Sequence, residues 1–112
     1  THIYQAVPDG VGGWSQTEIA TVPGTSFVEL DMVIDDQDRG HVCLYSSVDN
    51  DLYYVEQQAD AGWEAAAIET ADSVGEDCRL AVDGFGKVWI AYRRFWGAAG
   101  NETYELVVGH RP

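Results

Sequence analysis

Short apolar runs rich in Val, Ile, Tyr and Trp recur along the chain, separated by Gly, Asn, Asp or Pro at intervals of roughly 8–15 residues. This is strand punctuation, because β-branched and aromatic side chains fit a pleated surface and the intervening residues supply reversals. Amphipathic stripes at a 3.6-residue period are absent from the sequence. One stretch, residues 59–72, favours helix on propensity alone through Ala65-Ala66-Ala67. Its counterpart, residues 14–24, carries Thr17, Thr21, Val22 and Pro23 and would make a poor helix, so both are expected to be strands.

The counterpart exists because the chain repeats itself. Residues 14–57 lie on residues 63–110 almost without gaps, at an offset of 48 to 49. Trp14 pairs with Trp63, each preceded by glycine; Ile19 pairs with Ile68, Leu30 with Cys78, and Met32-Val33-Ile34-Asp35 with Leu80-Ala81-Val82-Asp83. Turns follow, Asp36 to Gly40 in one copy and Gly84 to Gly86 in the other. Then His41 to Tyr45 is matched to Lys87 to Tyr92 with a one-residue adjustment that sets Cys43 against Ile90. Leu52-Tyr53-Tyr54-Val55 answers to Leu106-Val107-Val108-Gly109, and a partial third copy opens the chain, where Ile3 stands 11 residues before Trp14 as Leu52 stands before Trp63.

Four short strands in roughly 49 residues is the length of a propeller blade. The expected fold is therefore all-β, a β-propeller with two four-stranded blades per chain. Residues 1–21 would form the outer strands of a split blade, 26–70 a complete blade, and 78–109 the inner strands of the split one. Two blades cannot close a circle, so a head-to-tail homo-oligomer is expected, a trimer of six blades first. Nine strands leave one outer strand without a place.

The run Leu80-Ala81-Val82-Asp83, Gly86, Val88-Trp89-Ile90-Ala91-Tyr92, with Leu52-Tyr53-Tyr54 and Gly62-Trp63, resembles the blades of bacterial sialidase-like propellers across essentially the whole chain. That resemblance implies an innermost Leu-Ala-Val-Asp strand and an outermost strand starting at Trp. The sialidase Asp-box, Ser-x-Asp-x-Gly-x-Thr-Trp, is absent, so the likeness is to the blade and not to the enzyme. In length, acidity and Tyr/Trp content the chain is also similar to two-blade fucose-binding lectins that trimerise. At the places matching their sugar-anchoring Arg it has Cys43 and Ile90, and at those matching their Glu it has Tyr54 and Val108. Only Trp14 and Trp63 survive of that pattern.

Charge narrows the partners. Six Lys and Arg against 19 Asp and Glu give a net charge of −13 with no basic run, which sets aside nucleic acid and anionic membranes, since phosphate contacts need clustered cations. The acidic residues are scattered, as on a solvated surface suited to salty or extracellular conditions, and 46% hydrophobic residues are far too many for a disordered tail. No apolar stretch reaches membrane-spanning length, and no basic segment followed by an apolar run reads as a signal peptide.

Aromatic rings stack on the C–H faces of sugars while neighbouring polar groups take the hydroxyls. The candidate ligand residues are Tyr53, Tyr54, Tyr92, Phe95 and Trp96, with Arg93 and Arg94. Residues 93–97 read as a loop insertion facing a ligand or a neighbouring subunit, because the counterpart Ser46-Ser47-Val48 is bland and shorter. Asp35-Asp36-Gln37-Asp38 reads as a solvated turn before a calcium loop, and His2, His41 and His110 lack ligands at zinc spacing. No carboxylate pair or nucleophile motif marks catalysis. No cofactor is expected. Cys43 and Cys78 align with apolar residues and read as buried thiols. The chain is thus expected to be a non-catalytic binding propeller, glycan-binding in the manner of a lectin; the alternative is a fragment, or an engineered or evolutionary propeller module, whose property is self-assembly without a ligand.

Overall fold

The computed structural model describes residues 1–23, 29–70, 73–97 and 100–111. The expected start of the complete blade at 26–28 and the end of the 59–72 segment fall outside them. Nine strands form three antiparallel sheets, with no helix among the described residues. The first sheet is a hairpin of β1 (His2–Pro8) and β2 (Trp14–Thr21). The second has four strands in order: β3 (Glu29–Ile34), β4 (Gly40–Ser46), β5 (Asp51–Gln57) and β6 (Trp63–Glu69). The third comprises β7 (Ser73–Val82), β8 (Val88–Trp96) and β9 (Thr103–His110). The alanine run of β6 is strand because its ladder with β5, from Gln57↔Trp63 to Leu52↔Glu69, overrides helix propensity.

The second sheet is packed on both faces. Val42, Leu44 and Val55 meet Ile3, Ile19, Ala20 and Val22 of the first sheet and its flank. On the opposite face Cys43 and Leu52 meet Val74, Cys78, Leu80, Val88 and Tyr92. Every residue of β4 is therefore buried, which is why its sequence is a continuous run rather than an alternation. Gly75 permits the close approach of β7: its φ is +99°, and a Cβ there would lie 2.6 Å from the Leu52 Cβ.

Around their turns the two inner hairpins correspond at an offset of 48, residues 31–34 and 40–43 matching 79–82 and 88–91, while before Arg79 β7 shifts register where β3 does not. Asp35 N–H donates to the Arg39 carbonyl and Asp83 N–H to the Lys87 carbonyl. Asp35 Oδ1 accepts from the N–H groups of Gln37 and Arg39, and Asp83 Oδ1 from those of Phe85 and Lys87. Asp38 (φ 60°) and Gly86 (φ 78°) fill the same left-handed place. His41 is thus the equivalent of Trp89, and Cys43 of Ala91 rather than Ile90. The alignment by residue type slipped because the glycine of one turn was set against a different turn position. The outer hairpins repeat as faithfully: both β1–β2 and β5–β6 break register at the same place, Ile3/Tyr4 and Leu52/Tyr53.

Cys43 and Cys78 are not thiols but a disulfide joining β4 to β7, with Cα atoms 6.3 Å apart. Apolar equivalents report burial, and both are fully buried; they say nothing about which positions face each other between sheets. Closing a loop of about 35 residues stabilises by roughly 3–4 kcal/mol in the chain-entropy treatment.

The stack is open at both ends. Its radius of gyration is 15.3 Å, against about 13 Å for a compact domain of this length. On the third sheet Leu106 is 77% and Val108 61% exposed, although Leu52, the equivalent of Leu106, is completely buried. On β3, Leu30, Met32 and Ile34 stand exposed beside Val42 and Leu44, because the first sheet has no inner strands to cover them.

Candidate functional site

Between the second and third sheets lies a cleft in two parts that share Glu56, Val88 and Arg111. The apolar part, about 400 Å³, is floored by Ala66, Ile68, Leu80, Val88 and Ile90. It exists because the third sheet has three strands: the face of β6 bearing Ala66 and Ile68 has no fourth strand opposite. The polar part, about 430 Å³, opens between the hairpin turns and is lined by Asp36, Arg39, Gln57, Phe85 and Lys87 among others.

At their junction, buried His41 links three acidic or phenolic groups. Its Nε2 lies 2.8 Å from Asp35 Oδ2 and its Nδ1 2.6 Å from the Tyr54 hydroxyl, which also donates to Glu56 Oε2 at 3.4 Å. Glu56 stands 3.8 Å from Nδ1 and pairs with Arg111. Burial opposes ionisation of Asp35, but its bonds to His41 and to the N–H groups of Arg39 and Gln37 outweigh it and hold the carboxyl below its ordinary pKa. Burial, then the Glu56 charge, pushes the Tyr54 phenol well above its ordinary value. Tyr54 is therefore a neutral hydrogen-bonding group throughout the physiological range and not a nucleophile.

Of the candidate ligand residues, only Tyr54 lines this cleft. Tyr53 points to the opposite face, packs against the first-sheet core and donates to Asp49 at 2.6 Å; burial and that bond raise it to about 12. Tyr92 is buried in the core between sheets and donates to Glu69, and burial followed by that carboxylate raises it to about 12. Arg94 bridges Glu69 and Glu105, whereas Arg93 pairs with Glu76 and Asp77 on the outer face. Phe95 packs beside Tyr104, ring centroids 5.2 Å apart, and Trp96 ends β8 half-exposed. Residues 93–96 are not loop: they extend β8, pairing with residues 103–106, so the extra residues lengthen a hairpin. Tyr92 and Arg94 thus meet through Glu69, Arg93 and Phe95 meet at the Tyr104 ring, 5.6 Å and 5.2 Å from its centroid, and Tyr53, Tyr54 and Trp96 stand apart from both pairs.

Sequence reasoning missed His41, Glu56 and Arg111. The signal for His41 was the shared six-residue spacing from Asp35 to His41 and from Asp83 to Trp89, whose Nε1 donates to Asp83 Oδ2 at 2.8 Å. Among the described residues no group of three or more His, Cys, Asp or Glu has the arrangement to hold a metal ion, and the Asp35 carboxylate is taken up by its own turn and His41. No helix is long and apolar enough to cross a membrane. No family model, curated protein or solved structure matches the chain.

Proposed function

We propose that this chain is a non-catalytic binding module of the propeller type, which associates head to tail with copies of itself and receives a small carbohydrate in the cleft between its second and third sheets. The carrying observation is that cleft: Tyr54, Glu56, Gln57 and Arg111 present hydroxyl, carboxylate, amide and guanidinium groups beside an apolar floor, and Phe85 stands at the mouth. A polyol with one apolar face needs such a combination. The repeated hairpins and the apolar surfaces uncovered at both ends of the stack support association in a ring, three copies closing six blades.

The same exposed ends favour a second reading, a module that assembles without any ligand. Titrating the protein with a panel of neutral and acidic saccharides, followed by chemical-shift changes around Tyr54, separates the two. The carbohydrate reading expects saturable shifts that Glu56→Gln weakens about tenfold, and it is abandoned if no saccharide shifts these resonances at millimolar concentration. Sedimentation addresses the ring: a species of three times the 12.3 kDa chain is expected, and a monomer at every concentration overturns it.

A further inference from the structure

We infer that the apolar half of the cleft is the socket for Trp14 of a second copy of this chain, an inference that rests on the head-to-tail association proposed above. Trp14 and Trp63 occupy equivalent positions, each opening the outer strand of its hairpin and each paired with the last residue of the preceding strand, Pro8 and Gln57. Trp63 lays its ring over Gly40, so close that a Cβ there would lie 2.5 Å from the ring. Trp14 has no such seat, because the first sheet contains no equivalent of β4, and it is 68% exposed.

The equivalent of Gly40 at the 48-residue offset is Val88, and Val88 lies in the floor of the cleft. A β1–β2 hairpin placed on the third sheet much as β5–β6 lies on β4 brings Trp14 beside Val88, whose side chain, absent from Gly40, holds the ring further from the strand and against Ala66 and Ile68 of β6. This half of the cleft is mainly apolar, as a partly desolvated indole requires, its vacant space reflects the absent fourth strand, and in the assembled ring the seated indole replaces that floor as the apolar face beside the polar half.

Seating the hairpin also accounts for the ninth strand. β1 and β9 both answer to β5, through Ile3, Leu52 and Leu106, and cannot both lie beside β8. β1 buries Ile3, whereas no residue of β9 is buried. β9 is the strand that yields, and in the isolated chain it shields the edge of β8 that the incoming β1 takes.

The test uses the whole chain in three forms: wild type, Trp14→Ala, which removes the knob, and Ala66→Phe, which fills the socket. Both positions are exposed, so each variant should keep the thermal transition of the wild-type monomer. Each alone should assemble at least 30-fold more weakly than wild type. An equimolar mixture should give a two-chain species and nothing larger, because it offers one intact knob and one intact socket. In assembled wild type, hydrogen exchange should accelerate across residues 103–110 and slow across 2–8. If both variants assemble as wild type does, or if 103–110 stay protected, the socket is wrong while head-to-tail association stands. If wild type is monomeric at every concentration, the association itself falls and the socket with it.

Discussion

Asp35 shows how much one side chain does at an inter-sheet turn. A single carboxylate closes the β3–β4 hairpin through two backbone N–H bonds and orients His41, which in turn holds the Tyr54 hydroxyl. Because its folded pKa lies below the unfolded one, its contribution to stability is fully present above the unfolded value near 3.8. That contribution is lost as pH falls through the lower, folded value. Asp35→Asn is expected to cost about 1–2 kcal/mol at pH 7 and to flatten the acid limb of stability below about pH 4, as urea denaturation at stepped pH would show. Equal stability of the two proteins at pH 7 would count against the role of the turn. The aspartate was legible in the sequence as a turn residue, and its equivalence to Asp83 was too. Its grip on His41 was not, since a hydrogen bond across six residues depends on where the hairpin places the ring.

Strands with the same pattern meet different fates at the scale of elements. β5 and β9 carry equivalent residues, Leu52 and Leu106, yet the first is buried beneath β7 and the second faces water. Leu52→Ala is expected to destabilise by about 3 kcal/mol through the cavity it leaves, and Leu106→Ala by under about 0.5 kcal/mol in the monomer. Chemical denaturation of both variants in dilute solution measures the difference, and similar losses would contradict the open third sheet. Alternation, turn spacing and repeat length were enough to read nine strands and their order. They did not reveal that residues 93–96 continue β8, because Arg-Arg-Phe-Trp breaks the repeat and looks like an insertion. The cross-strand pairing of Arg94 with Glu105 and of Phe95 with Tyr104 makes it strand.

For the whole molecule, charge and shape act in opposite directions. Uncovered apolar faces favour association, while 19 acidic residues against six basic ones make copies repel. Raising salt from about 0.01 M to about 1 M shortens the screening length from about 30 Å to about 3 Å. The association constant is therefore expected to rise tenfold or more, measured by sedimentation at the two ionic strengths. A fall with salt would mean that ion pairs rather than apolar surface hold the copies together.

The amino-acid sequence by itself determined the all-β class, the strand order and the two copies of one unit, because these follow from local periodicity and turn chemistry that each segment carries in its own residues. Only the tertiary structure decided the Cys43–Cys78 disulfide, the 48-residue register at the inner turns, the His41 network and the open cleft. Each of these depends on which face of one sheet meets which face of the next, and that contact is set by packing between segments far apart in the chain.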